Sequence, residues 1–163
     1  MSTFRTVLGK LAISAACWIA VASSAYAGDP LKVTSIYATS DGHALIRYTV
    51  KNVSGHPLGI DEAQLPWATV WTVQTVLAYR GSRTVIPRLP IIDDAPVSME
   101  KTLGPNEEIT GDSRLDGYIN NFSKANATSD IVVFWFYEPK GPNRESLGRY
   151  SGSFVIPTSR SIH

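Results

Sequence analysis

The sequence predicts an all-β fold, an antiparallel β-sandwich of seven or eight strands with one short helical turn. Three observations support this prediction. Apolar residues recur at every second position, which is the period of a half-buried strand, and helical periodicity is scarce. β-Branched and aromatic residues fill these stretches. Clusters of Gly, Pro, Asn, Asp and Ser separate them at steady intervals, as in other all-β sandwiches.

Seven longer segments have the strand pattern, and a short strand and a hairpin return accompany them. The short strand is Leu58 to Asp61, and Thr84 to Ile86 should fold back onto the segment before it. The longer segments, in chain order, are Leu31 to Thr39, His43 to Asn52, Trp67 to Tyr79, Val97 to Leu103, Glu107 to Leu115, Ile131 to Tyr137 and Arg149 to Ile156.

The distribution of apolar residues indicates where each strand lies relative to the core. Ile131 to Tyr137 is apolar on both faces, so we predict that it is the most central strand. The segment Asp116 to Ala127 lacks the strand pattern, and we predict the short helical turn there. Two strands should each turn one set of apolar residues inward: Ala44, Ile46, Tyr48 and Val50 in the second strand, and Tyr150, Phe154 and Ile156 in the last.

The order of these elements resembles the immunoglobulin-like β-sandwich superfamily. An aromatic-rich strand stands third or fourth, a helical turn precedes a very apolar penultimate strand, and the final strand is expected to pair with it. The cysteine pair of antibody domains is absent, so the resemblance is to the wider superfamily.

A narrower resemblance is to bacterial BsuPI-type proteinase inhibitor domains, and it covers about two thirds of the mature chain. It rests on Tyr48 to Ser54, the tryptophan-containing strand, Tyr79-Arg80-Gly81 and Leu103 to Glu107. The usual Pro-Gly-Glu of these domains is Pro105-Asn106-Glu107 here, a tolerable change because Asn also adopts left-handed backbone angles. The resemblance implies an inhibitor-like role but transfers no inhibitory residue.

Residues 1–27 have the layout of a secretory signal peptide, with cleavage predicted after Ala27. Arg5 and Lys10 precede a short apolar run, Leu11 to Val21, and small residues precede the cleavage position. A retained membrane anchor and a lipidated Cys17 are the alternatives. The apolar run is shorter than the roughly 20 residues of a spanning helix, and it continues past the cysteine. We therefore expect a secreted or periplasmic protein with a single domain, residues 28–163.

Composition excludes several classes of function for the exported chain. Removing Arg5 and Lys10 from the 15 basic residues leaves 13 against 14 acidic ones, a net charge near −1. Such a balance supplies no strong field for nucleic acid, and it does not indicate peripheral contact with a membrane. Cys17 is the only cysteine and leaves with the signal peptide. Disulfides, thiol catalysis and cysteine-ligated metals are therefore not expected.

No motif predicts catalysis or a cofactor. His43, His56 and His163 lack the spacing of metal ligands, and no glycine-rich phosphate loop is present. Ser54-Gly55-His56 lacks the surroundings of a catalytic serine and is expected to be a hairpin turn. We therefore predict a protein that is not an enzyme and has no cofactor or metal.

The candidate binding residues lie on an aromatic strand and in a proline-rich loop. Trp67 follows Pro66 at the start of its strand, so it is the tryptophan expected to be partly exposed; core packing is expected for Trp71 and Trp135. The loop Pro87 to Pro96 presents apolar residues where polar ones are usual, which is typical of a contact surface or of a plug over the end of the sandwich. The loop residues concerned are Leu89, Ile91, Ile92, Asp93 and Asp94.

These observations predict an exported, non-enzymatic protein that binds a protein or peptide partner through loops and edge strands, in the cell envelope or outside the cell. The alternative is a module that binds carbohydrate or surface glycans through Trp67 and neighbouring aromatic rings. The alternative requires the ring of Trp67 to be more than half exposed, and complete burial would exclude it.

Overall fold

The structure is a computed structural model that describes residues 28–68, 73–79, 85, 99–116, 119 and 121–159, with the backbone alone for residues 73–79. Within these residues the chain forms eight strands, one α-helix and one 3₁₀ helix, Glu62–Gln64. The strands are β1 (Leu31–Ser40), β2 (His43–Asn52), β3 (Leu58–Asp61), β4 (Val73–Tyr79), β5 (Glu100–Leu103), β6 (Glu108–Arg114), β7 (Ile131–Tyr137) and β8 (Tyr150–Ile156), and the helix is α1 (Phe122–Thr128).

All described strand pairs are antiparallel, so the predicted all-β, antiparallel class is confirmed. The strands form three sheets, with the orders β1-β2-β6, β3-β5 and β4-β7-β8. The turn between β1 and β2 is Asp41-Gly42, and both residues have positive φ, 51° and 78°. A two-residue hairpin needs these angles because they match the twist of the strands, and Asp-Gly adopts them readily.

The two three-stranded sheets contribute their inner faces to one hydrophobic cluster. At its centre, Tyr48 of β2 meets Trp135 of β7 edge to face, with ring centroids 5.5 Å apart and an interplanar angle of 89°. The predicted inward residues of the second and last strands are all buried, and so is Trp135. Alternation along a strand therefore identified the core face correctly. These residues are Ala44, Ile46, Tyr48 and Val50 of β2, and Tyr150, Phe154 and Ile156 of β8.

The sequence predicts that Ile131–Tyr137 is the most central strand, because it is apolar on both faces. This strand, β7, is central in its sheet, between β4 and β8, but buries only alternate residues. Phe134 points to the opposite face and is 48% exposed. The residues on the outer face of β7 are apolar as well, but the described core lies on one face of the strand only.

The predicted strand Trp67 to Tyr79 begins later than expected. Residues 66–68 form a turn, in which the backbone N–H of Ala68 donates to the carbonyl of Leu65 at 2.9 Å, and β4 begins at Val73. The turn follows the 3₁₀ helix Glu62–Gln64, whose N-terminus is capped by Asp61, its Oδ1 accepting from the N–H of Ala63 at 3.0 Å. This local capping directs the chain into a helical turn before the strand starts.

Asn52 connects two turns at one end of the β1-β2-β6 sheet, and it is fully buried. Its amide nitrogen lies 2.8, 2.9 and 3.1 Å from the carbonyl oxygens of His56, Leu103 and Gly104. Its Oδ1 accepts from the backbone N–H of Ser54 at 2.9 Å and from its hydroxyl at 2.6 Å. Residues 53–57 therefore form the predicted turn.

The second of these turns contains Asn106, whose φ is 64°. The sequence predicted that Asn could replace Gly in this turn because it tolerates left-handed angles, and the backbone conformation confirms this. The turn is closed by Glu107, whose Oε2 accepts from the N–H of Gly104 at 2.7 Å.

Candidate functional site

The structure describes one of the six predicted binding residues, Trp67. Leu89, Ile91, Ile92, Asp93 and Asp94 lie outside the described residues, as do Trp71 and residues 1–27. In the part of the chain that is described, no helix is both long and apolar enough to cross a membrane. The same residues contain no group of three or more His, Cys, Asp and Glu side chains placed to hold a metal ion.

Trp67 is partly buried and packs against the core. Its indole lies directly over Gly111 of β6, so closely that a Cβ at that position would overlap the ring. Its exposure is below the half that a glycan-binding platform would need, because one face of the ring is used for packing. The described structure therefore offers no observation that favours the carbohydrate alternative at this residue.

A polar cluster lies at the N-terminal end of β2, beside a cavity of about 180 Å³. His43 Nδ1 is 2.7 Å from Asp116 Oδ2 and 2.8 Å from Arg114 Nη2, and Arg114 Nε donates to Asp116 Oδ1 at 3.2 Å. A ring nitrogen either donates or accepts, so Nδ1 forms only one of its two hydrogen bonds at a time. A hydrogen on Nδ1 favours the contact with Asp116, and a bare Nδ1 favours the contact with Arg114.

Electrostatics at this cavity follow from the same groups. Partial burial acts to raise the pKa of Asp116, but hydrogen bonds from His43 and Arg114 outweigh it and hold the pKa below its ordinary value. Tyr37, which also lines the cavity, has a raised pKa, first because it is partly buried and second because Asp116 is negative. Among the described residues, no hydroxyl group hydrogen-bonds to His43. Because His43 begins β2 and Arg114 ends β6, the cluster links the β1–β2 hairpin to the end of β6.

The outer edge of β8 presents a different kind of surface. β8 is the last strand of its sheet, and no backbone hydrogen bond is formed on its outer edge within the described chain. β1 lies alongside β8 without a backbone–backbone hydrogen bond between them, and the N–H of Leu31 donates to the hydroxyl of Tyr150 at 3.3 Å. The strand contains no charged residue, whereas β1 and β6, the edge strands of the other three-stranded sheet, contain Lys32 and three charged residues respectively.

Apolar residues lie beside this edge, on the outer face of the same sheet. Phe134 is 48% exposed, and it is the one aromatic ring among the large apolar side chains that are exposed in the described residues. We call this region the β8 surface. It comprises Ser151, Ser153 and Val155 of β8, and Val132, Phe134 and Phe136 of β7, all of them exposed or partly exposed.

Neither the polar cluster nor the β8 surface could be predicted from the sequence. His43 and Asp116 are 73 residues apart in the chain, and only the pairing of β2 with β6 brings them together. The β8 surface had a signal, because Tyr150 to Ile156 is an uncharged strand with a glycine at its third position. That signal has meaning only once the strand is known to lie at an edge.

Comparison with known proteins assigns no family. No family model matches the chain, and no curated protein matches it. A solved structure that is similar is the crystal structure of a Bordetella pertussis protein provisionally called ApaA. It is 16% identical, covers 87% of this chain and 98% of its own, and has a TM-score of 0.38. This level of similarity assigns neither a fold family nor a function.

Proposed function

We propose that the protein is an exported, non-enzymatic β-sandwich that binds a protein or peptide partner by pairing an extended segment of that partner with β8. The observation that supports this proposal is the outer edge of β8, which is uncharged and makes no backbone hydrogen bond to any other described residue, next to the exposed ring of Phe134. An extended chain can satisfy the backbone groups of such an edge with main-chain hydrogen bonds, and side-chain contacts then supply specificity.

The chemistry of the β8 surface defines the partner. A strand added to β8 turns alternate side chains toward the outer face, where Phe134 and Val155 lie. Apolar or aromatic residues at these alternate positions would be buried against Phe134, and aromatic contacts are characteristic of binding hot spots. The partner segment is therefore extended and uncharged, with apolar residues at every second position.

The proposal includes the finer assignment of the fold. An immunoglobulin-like sandwich is supported by two three-stranded sheets that share one core, by α1 preceding β7, and by β8 pairing with β7 at the end of the domain. Inhibition of a proteinase, implied by the BsuPI resemblance, is one form of this binding function. The partner lies in the cell envelope or outside the cell, where the predicted signal peptide would direct the protein. The proposed binding requires no cofactor.

The test compares three forms of the tagged protein in an envelope extract of the producing organism. Ser153→Lys places a charge in the middle of β8, at a partly exposed position where the fold can accommodate it. Thr102→Lys, on an exposed position of β5, adds the same charge elsewhere and serves as the control. We expect a partner that the wild type and the control retain equally, and that Ser153→Lys retains at least tenfold less. Equal retention by all three proteins would refute binding at β8.

A further inference from the structure

Beyond binding a foreign segment, β8 has the sequence needed to bind a second copy of itself. We propose that two copies of this protein pair their β8 strands antiparallel across a two-fold axis at Ser153, which joins two three-stranded sheets into one of six strands. This inference goes beyond the proposed function, although both use the same edge. The chain that pairs with β8 is here a second copy of the protein, and it covers the edge that a partner would use.

The strand is self-complementary in this register. A two-fold axis at Ser153 pairs Ser153 with its own copy, and Gly152 of one copy with Phe154 of the other. The remaining pairs are Ser151 with Val155 and Tyr150 with Ile156, so all seven residues of the strand are matched. A small residue opposes a larger one in the Gly152–Phe154 and Ser151–Val155 pairs, and no like charges meet within the strand. A closed, two-fold interface is also the commonest form of homo-oligomer.

Charges at the ends of the strand favour the same register. Arg149 precedes β8 and donates to Glu138 Oε1 of its own copy at 2.8 Å. In the dimer, Arg149 would lie opposite Pro157 of the other copy. Continuing the β7–β8 register by one residue places Asp130 of that copy beside Pro157, on the side away from Arg149. Two strand spacings are about 10 Å, a distance that an arginine and an aspartate side chain can bridge together. Each guanidinium would thus stand between two carboxylates.

The edge itself needs such a cover. A strand of seven residues whose outer edge is uncharged and, among the described residues, without a backbone partner is a template for uncontrolled pairing, which proteins usually prevent with charges, proline or bulges. Pro157 ends β8, but nothing within the strand discourages pairing. Pairing with a second copy closes both edges at once and leaves no edge of β8 for a third chain.

The experiment is sedimentation equilibrium of the purified protein alone, over micromolar to submillimolar concentrations. We expect a monomer–dimer equilibrium for the wild type and for Thr102→Lys. Ser153→Lys should raise the dimer dissociation constant at least tenfold, because two lysines would face each other at the two-fold axis. A wild type that stays monomeric throughout, or a dimer that Ser153→Lys leaves intact, overturns the inference.

A cysteine variant tests the register without adding charge. Ser153→Cys places one thiol at the axis in each copy, so mild oxidation should yield a covalent dimer. Ser151→Cys is the control, because its two thiols would be offset by four residues along the strands, about 13 Å apart. Efficient cross-linking of Ser151→Cys and none of Ser153→Cys would reject this register.

The outcomes separate this inference from the proposed function. If the wild type is monomeric and Ser153→Lys no longer captures the partner from the extract, the dimer is rejected and partner binding at β8 is supported. If Ser153→Lys disrupts the dimer but still captures the partner, the dimer is supported and the proposed binding site is rejected.

Discussion

At the scale of single residues, the buried polar side chain of Asn52 has the largest structural role. One amide nitrogen contacts three carbonyl oxygens and one amide oxygen accepts two hydrogen bonds, so a single side chain holds the turns at residues 53–57 and 103–107 together. In the sequence, Asn52 is the last residue of a predicted strand. The sequence could not identify the role, because the carbonyls of Leu103 and Gly104 lie more than fifty positions away in the chain.

Asn52→Ala should lower the free energy of unfolding by about 3 kcal/mol, because it leaves several backbone groups near the core without a hydrogen-bond partner. Urea unfolding followed by tryptophan fluorescence measures this change. Asn143→Ala, at an exposed position in a loop, is the matched control and should stay within about 0.5 kcal/mol of the wild type. Equal midpoints for the two variants would contradict the structural role of Asn52.

His43 and Asp116 illustrate a second reason why residue-level prediction failed. The sequence shows His43 without the spacing of a metal ligand, and its side chain is 43% exposed. The two-residue hairpin Asp41-Gly42 nevertheless sets the register of β2, and β2 in turn sets the position of β6, so that His43 reaches Asp116 and Arg114. Long-range strand pairing created this contact, and no local pattern encodes it.

At the scale of strands, two glycines allow tryptophan rings to lie flat against the neighbouring strand. Trp67 covers Gly111 of β6, and Trp135 of β7 covers Gly152 of β8. A ring placed over a glycine compensates for the missing side chain in a strand, where glycine is otherwise unfavourable. The sequence showed these glycines inside strands but could not show which ring covers each of them.

Gly152→Ala should lower the free energy of unfolding by about 2 kcal/mol, since the new methyl group would come within 2.7 Å of Trp135 Cζ2 and force the ring to move. Thermal unfolding gives the loss, and the emission of Trp135 should change as the ring shifts. Gly55→Ala is the control, because a Cβ there meets nothing within 4 Å. A melting temperature that Gly152→Ala leaves unchanged would show that the ring is not held against β8.

The strands that are set by local pattern were predicted well, and those that depend on their neighbours were not. β2 and β3 match the predicted bounds, and β7 does too, because strong alternation or an unbroken apolar run bounded by turn residues defines them. The predicted helical turn at Asp116 to Ala127 appears as α1, Phe122–Thr128, which begins after Asn121 in a left-handed conformation. The burial of one face of β7, rather than both, depends on what packs against the sheet, and alternation cannot reveal it.

At the scale of the whole molecule, stability should depend on acidity through two carboxyl groups at the ends of cross-strand contacts. A hydrogen bond from Arg47 lowers the pKa of Asp112 more than its slight burial raises it. For Asp116, hydrogen bonds from His43 and Arg114 outweigh burial. Both pKa values therefore lie below the ordinary value of 3.8 in the folded protein. Their contribution to stability is complete above that value and is lost as the pH falls through the lower, folded pKa.

Melting temperatures measured from about pH 6 to about pH 2 test this dependence. Asp116→Asn should melt at a lower temperature than the wild type near pH 6 and lose less stability on acidification, so the two profiles should converge at low pH. Asn143→Ala removes no charge and should keep the wild-type profile. Parallel profiles for Asp116→Asn and the wild type would contradict a contribution from the Asp116 carboxylate.

The sequence by itself determined the fold class and most of the strands, together with the inward faces of β2 and β8, because these depend on alternation and turn chemistry within a few residues. The tertiary structure alone decided which strands form sheet edges and which glycines lie beneath tryptophan rings. It also brought Asn52 and His43 to their distant partners. The physical reason is that edges, ring contacts and buried hydrogen bonds are properties of strand pairing across the whole chain. A local pattern can predict that a strand exists, but it cannot identify the neighbours of that strand.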